Sequence, residues 1–377
     1  TNDGYSGVNW ADVIANFGQK PFKYAPPEGF QPLNYANLPT PAIVDPGKHF
    51  KTVLYTGDGN NGRSITGVGF TPDLVWIKDR SASRWHSLFD SIREPGYRLF
   101  SNDTQGDNFS STSLTSFDND GFSLGSLLTN NGSNETYVAW CWKAGGAAVS
   151  NSDGSITSQV SVNQDAGFSI IKVDSLPAST TSTFGHGLNK KPDFIIFKSR
   201  NNSTNWDVYH SSLTPDGERK LYLNSTSDEI DSVFMGDTPP TSSVISFNPG
   251  SSDSNHVVYC WTEIEGFSKF GSYVGNDDPD GPFVYCGFKP AFVMTKRTDT
   301  TGEWWMYDSS RGSTNPIPRM LLADSSGTEN EDSSSYLLDF LSNGFKIRAG
   351  LAALNGDGGT FIFMAFAESP FQTANAK

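Results

Sequence analysis

Long hydrophobic runs, basic clusters and paired cysteines are all missing from this chain of 377 residues. Its longest apolar run, FIFMAFA at residues 361–367, falls far short of the ~18 residues that a membrane helix needs, so no membrane insertion is expected. Lys and Arg number 27 against 41 Asp and Glu, giving a formal charge of −14. Such a surface repels phosphate backbones and argues against a nucleic-acid partner. The three cysteines, Cys141, Cys260 and Cys286, contain no CxxC pair and are odd in number, which excludes a disulfide framework and a zinc knuckle. Cys141 and Cys260 lie in the apolar runs YVAWCW and HVVYCW and read as small buried hydrophobes. The five histidines, His49, His86, His186, His210 and His256, have no metal-ligand spacing, and neither GxSxG nor HExxH occurs. The opening TNDGYSG is not a signal peptide and lacks Met, so the chain reads as a fragment or a processed product.

What is present is a pattern written three times. GFTPDLVWIKDR (69–80), KKPDFIIFKSR (190–200) and GFKPAFVMTKR (287–297) each run from a Pro through an apolar stretch to a Lys. The lysines are Lys78, Lys198 and Lys296. A polar loop and a Trp follow each one: Trp85, Trp206, and the doublet Trp304-Trp305. Then come Phe89-Asp90, Tyr209-His210 and Tyr307-Asp308, and recurrent leucines at Leu99, Leu221 and Leu321. Each copy closes on an aromatic-rich run, YVAWCWKA, VVYCWTE or FIFMAFAE. The copies are domain-sized, each long enough for its own core, and not the short units of a solenoid.

The Pro-led runs are short, β-branched and aromatic, as buried strands are. Pro at a strand's first position costs no ladder bond, and the NDGF and SNGF stretches signal tight turns. Apolar content is only 36% while aromatics reach 13%, which suits short strands and long loops. WADVIANFG (10–18) and SSYLLDFL (334–341) are the two short candidate helices. The expected fold is all-β: three tandem antiparallel β-sandwiches, jelly-roll or lectin-like, with few short helices. The expected boundaries are 1–25 for the tail of an upstream domain, 26–50 for a Pro-rich extended connector, and 51–146, 147–266 and 267–377 for the repeats.

The segment VNWADVIANFGQKPFKYAPPEGFQPLNYANLPTP, with NFGQKPF as its carrying motif, resembles the end of a SPRY-type β-sandwich of phage proteins. The stretches HFKTVLYTGDG, GFTPDLVWIKDRS, AGFSIIKV, GFSKFGSYVGNDDPDGPFVYCGFKPAFVMTKR and DFLSNGFKIR resemble a repeated domain of unknown function in marine, cyanophage-type virion proteins. That resemblance implies a structural or host-contacting role in a tail fibre, tail appendage or capsid-associated fibre on the particle exterior. It implies other virion proteins as partners, self-association with a trimer favoured, and a host-surface glycan or protein as target. It names no catalytic residue, and no enzyme is expected. Two alternatives stay open: a glycan-degrading tail depolymerase, and a bacterial extracellular matrix protein built from the same modules.

Among individual residues the tryptophans matter most. Exposed rings beside polar loops stack on sugar faces, so Trp304, Trp305, Trp85 and Trp206 are the candidate glycan- or partner-binding residues. A recurrent Trp is also what each sandwich needs as a core anchor. Strand neighbours face opposite ways, so one member of the Trp304-Trp305 doublet is expected to point outward. Asp277, Asp278 and Asp280 in NDDPDG could supply oxygens to calcium, although the EF-hand spacing is absent and a solvated turn explains the loop as well. Asp90, Glu94 and Asp308 are the carboxyls a glycosidase would use, but Asp90 and Asp308 belong to different repeats. GDGNNG (57–62) matches GxGxxG yet precedes no helical pattern and reads as a hairpin turn.

Overall fold

The computed structural model describes residue 20 and residues 22–28, 40–252, 254–331 and 335–371. Of the SPRY-like segment only residues 20, 22–28, 40 and 41 are described, and the candidate helix at 10–18 lies outside the described residues. Residues 42–377 form one compact unit, distinct from residues 1–41. The fold is nearly all β, with 43% strand and 4% helix.

Each repeat builds the same sheet. In the first, the order is Phe50–Thr56, Thr136–Trp142, Leu74–Asp79, Ser87–Asp90, all antiparallel. The second repeats it with Phe168–Leu176, Ser254–Trp261, Phe194–Ser199 and Asp207–His210. The third uses Ser268–Val274, Thr360–Pro370, Phe288–Arg297 and Trp304–Asp308. The closing strand of each repeat thus sits between its opening strand and its Pro-led strand. A smaller sheet covers one face of each: Arg63–Thr66, Gly121–Leu124 and Leu114–Asp118 in the first, Ser182–Gly185 with Val244–Phe247 in the second, and Phe283–Tyr285, Gly344–Ile347 and Leu338–Leu341 in the third.

The strand alternation divides the core. In the closing strand of the first repeat, Tyr137, Ala139 and Cys141 pack under the small sheet with Phe122 and Leu124. Trp140 and Trp142 face the other way. Cys260 is likewise under its small sheet, and Tyr259 and Trp261 face out of the sandwich. All three cysteines are buried free thiols. The outward faces are not solvent faces. They meet in one hydrophobic cluster that contains residues of all three repeats. Trp142 lies 6.1 Å from Trp261 and 5.7 Å from Phe366, its two counterparts in register. Phe50 stacks on Phe366 at 5.0 Å, and Phe194 on Phe270 at 6.1 Å. The repeats are therefore not beads in a row; their large sheets close around a shared centre. Burial on both faces is why the Pro-led runs are apolar without alternation.

Register also fixes the repeat alignment. Lys78, Lys198 and Lys296 are equivalent, and each is buried. Lys78 Nζ donates to Asp79 O at 2.7 Å and to Ser326 O of the third repeat at 3.3 Å. Lys198 Nζ donates to Thr204 O at 2.9 Å and Thr104 O of the first repeat at 2.8 Å. Lys296 Nζ donates to Gly302 O at 2.8 Å, Arg297 O at 2.9 Å and Thr226 O of the second repeat at 3.2 Å. Every repeat holds its neighbour through the same lysine, and the third-to-second, second-to-first and first-to-third contacts close a ring. Burial pushes each of these amines down to about 8.

The expected helix at 334–341 is instead a strand over Leu338–Leu341. Leu338 and Phe340 are buried while Asp339 and Leu341 are half-buried, a period of two, and Ser342-Asn343 turns the chain into Gly344–Ile347.

Substituting Lys198→Met removes the donor to the Thr104 and Thr204 carbonyls and with it the bond to the first repeat. The variant should lose roughly 2–4 kcal/mol in urea unfolding, while Lys51→Met, at an exposed opening-strand position, should lose almost nothing. Equal losses from the two would refute the staple role.

Candidate functional site

The strand that follows each lysine brings the predicted tryptophans into view. Lys296 pairs with Trp304 in register, and the same position relative to Phe197↔Asp207 and Ile77↔Ser87 is Trp206 and His86. The repeat therefore reads His86, Trp206, Trp304. Trp85 is one residue out of phase, and its counterparts are Asn205 and Glu303. The polar loops before this strand tolerate the shift, which hides it from sequence spacing.

The three equivalent rings do one job. Trp206 Nε1 donates across the seam to Phe100 O at 2.8 Å and to Asp103 O at 3.0 Å. Trp304 Nε1 donates to Tyr222 O at 2.9 Å. His86 accepts at Nδ1 from Trp76 Nε1 at 2.8 Å, which leaves its Nε2 to donate to Leu322 O at 3.0 Å. Burial holds that imidazole well below its usual range and therefore neutral. Trp206 and Trp304 are thus seam anchors, buried completely. Trp305 does face away from Trp304, but not into open solvent. It is 5% exposed, stacks on Tyr336 at 4.6 Å and lines a cavity of about 370 Å³ with Glu303, Met320 and Leu322. Its indole N–H is buried without a partner.

Of the four predicted tryptophans, Trp85 alone is open, at 41% exposure. Its ring lies 4.9 Å from that of Phe100, over which the Arg98 guanidinium sits at 5.1 Å. These three residues, with Ser83, Arg84, Thr129 and Ser326, line a cleft of about 310 Å³. Phe100 and Arg98 are functional candidates that the sequence reading passed over. The signal was there in RLFSND, KLYLNS and MLLADS, which align once the leucines are matched.

The candidate glycosidase carboxyls are elsewhere. Asp90 and Asp308 are fully buried, each 2.6 Å from its own arginine, Arg93 or Arg311. Asp90 accepts from Tyr259 OH of the second repeat at 2.7 Å, and Asp308 from Trp140 Nε1 of the first at 3.0 Å. These are seam contacts. In the second repeat His210 takes the place, with Phe363 O of the third 3.1 Å from Nε2. Glu94 is exposed, with φ at 72°.

A different carboxyl pair is unusual. Asn102 and Asn224 accept through Oδ1 from the backbone N–H of His86 and Trp206, and Asp324 does so from Trp304. Asn224 also donates to Asn205 at 2.9 Å. In the third repeat those two amides are replaced by the acids Asp324 and Glu303. Desolvation, then the hydrogen bond with Glu303, raises the Asp324 carboxyl far above its ordinary 3.8. Without a proton, Asp324 Oδ2 is buried and has no donor. With one, it reproduces the neutral contact of the second repeat.

Asp277, Asp278 and Asp280 all lie exposed in one loop. Asp280 is held by Lys346 at 2.8 Å and Arg348 at 2.9 Å, and Asp278 accepts the Asp280 N–H at 2.8 Å. The loop's backbone is organised from below by buried Asn355, whose Nδ2 donates to Asn276 Oδ1, Asp278 O and Ala349 O. Asn131 does the same for the GDGNNG loop, donating to Asp58, Asn60 O and Gly125 O. A strand, Arg63–Thr66, follows that loop. Among the described residues no group of three or more His, Cys, Asp or Glu is arranged to hold a metal.

Fold and site together define an all-β protein of three internally equivalent sandwiches closed around one core. Residues 45–370 match the family described as Domain of unknown function (DUF7483), and the chain belongs to that family. No curated protein and no solved structure matches the chain.

Because the folded chain keeps a proton on Asp324 that the unfolded chain loses above 3.8, this pair's stability is fully present at low pH. It is lost as pH rises toward the raised value. Asp324→Asn should gain roughly 1–3 kcal/mol at pH 8 and little at pH 4. A melting curve whose pH slope is the same in both proteins would remove the shared proton.

Proposed function

We propose that this chain is a rigid, non-enzymatic recognition unit of a phage particle, carried on a tail fibre, tail appendage or capsid-associated fibre and contacting a host-surface glycan. The observation that carries this reading is the contrast at the tryptophans. Trp206 and Trp304 are spent on closing the ring, whereas Trp85 presents an exposed indole beside Phe100 and Arg98 in a cleft. Aromatic rings flanked by polar groups are the usual platform for the apolar faces of sugars. The acidic surface keeps such a unit from nucleic acid. The resemblance to cyanophage-type virion proteins supplies the particle, and repetition on an oligomeric particle would strengthen each weak contact by effective concentration. Self-association, a trimer favoured, and contacts with other virion proteins belong to the same reading.

A depolymerase is the weaker reading. Asp90 and Asp308 are neutralised by buried arginines.

Antibody labelling of intact virions in the electron microscope should decorate the particle exterior, and the purified chain should be retained on host polysaccharide without releasing reducing ends. Unlabelled particles would end the virion assignment; released reducing ends would establish the depolymerase instead.

A further inference from the structure

The register that aligns the repeats also aligns three surface cavities. Each is lined by the same strand position, Arg98, Lys220 or Met320. Their volumes are close, about 310, 330 and 370 Å³, at the small end of the range of small-ligand sites. Their chemistry differs. In the second repeat, Lys220 is already paired with Asp207 at 2.9 Å, and both line the cavity. The third has no cation at the position and adds the carboxyl of Glu303.

Of the three, only the first cavity combines an exposed indole with a guanidinium that no carboxylate among the described residues neutralises. Arg98 Nε donates to the amide oxygen of Asn108 at 3.0 Å, and its Nη1 is buried with no partner. The neighbouring Arg84 is different: it is held by Asp79 at 3.1 Å and Glu135 at 2.6 Å. In a chain of net charge −14, an arginine that lines a cleft with no carboxylate on it among the described residues leaves its positive charge to an anionic ligand. A planar guanidinium fits a carboxylate or an oxyanion ester through paired N–H bonds. The open face of Trp85, braced by Phe100, fits a pyranose ring.

We propose that the Trp85–Phe100–Arg98 cleft is a binding site for an acidic saccharide. The sugar ring stacks on Trp85 and its carboxylate or sulfate pairs with Arg98. The hydroxyls of Ser83 and Thr129 and the neighbouring repeat's Ser326 border the cleft and meet the ring hydroxyls. Because the equivalent cavities carry Asp207 or Glu303, there is one such site per chain and not three. This rests on the glycan-recognition reading above and names its ligand class.

The test is isothermal titration of the full chain with a uronic-acid tetrasaccharide, with a sulfated tetrasaccharide, and with a neutral glucan tetrasaccharide of equal length. At least one acidic probe should bind with a stoichiometry of one, and the neutral probe at least tenfold more weakly. Trp85→Ala and Arg98→Met should each weaken the acidic probe at least tenfold with an unchanged melting temperature. Asn205→Ala, at the equivalent position of the second repeat, should leave binding intact. Carboxylated and sulfated probes tell which anion Arg98 selects. Acidic binding that survives both variants, or that shows three sites, overturns this site while leaving glycan recognition standing. Failure of the intact chain to bind any saccharide, these probes and host polysaccharide included, overturns both.

Discussion

A buried ammonium group needs several oxygens, and one repeat of this protein cannot supply them alone. Lys78, Lys198 and Lys296 each take one or two carbonyls from their own repeat and one from the next. The penalty for leaving such a charge uncompensated is several kcal/mol. Each lysine therefore makes its own repeat conditional on its neighbour, and the closed cycle makes all three conditional on one another. The shared aromatic centre is the apolar counterpart of the same arrangement: the outer sheet faces carry Trp140, Trp142, Tyr259, Trp261 and Phe366, which no single sandwich could leave in water.

Equivalence then drifts where closure permits it. The first-to-third and second-to-first seams each hold an arginine chain. Asp308–Arg311–Glu329–Arg80 occupies one, and Asp90–Arg93–Asp107–Arg200 the other. At the third seam His210, Leu213 and Thr298 stand in three of the matching places and Glu229 in the fourth, its N–H donating to Thr298 O at 2.9 Å; with no arginine in these places the ion chain does not form. The surface cavities diverged further than the seams: the equivalent position is Arg98, Lys220 or Met320. Chemistry that recognises something outside the chain can differ between copies only at such positions.

Much of this was readable in the sequence. The three Pro-to-Lys runs, the aromatic closing strands and the NDGF and SNGF hairpins gave an all-β protein with a repeated plan, and Cys141 and Cys260 were placed as buried hydrophobes. The tryptophans were harder. Counting from the lysines aligned Trp85 with Trp206, and only the strand ladder, Ile77↔Ser87 against Phe197↔Asp207, moved Trp85 out of the frame and His86 into it. One of the Trp304-Trp305 doublet was expected to face outward, and the Trp305 side chain does leave the Trp304 face. Tyr336, over thirty residues later, covers it. Matching the leucines of RLFSND, KLYLNS and MLLADS places Arg98 in the repeat, but that no carboxylate pairs with it depends on which acids fail to reach it.

The sequence by itself determined the strands, their repetition and which of them are buried on both faces, because periodicity and turn chemistry act over a few residues. Tertiary structure decided that the repeats close into a ring and that the recurrent lysine is a seam staple. It also decided which tryptophan stays open to a ligand. Those outcomes depend on partners about two hundred residues away, such as Lys78 with Ser326 and Trp140 with Asp308. Burial and desolvation select such partners only after the sheets have met.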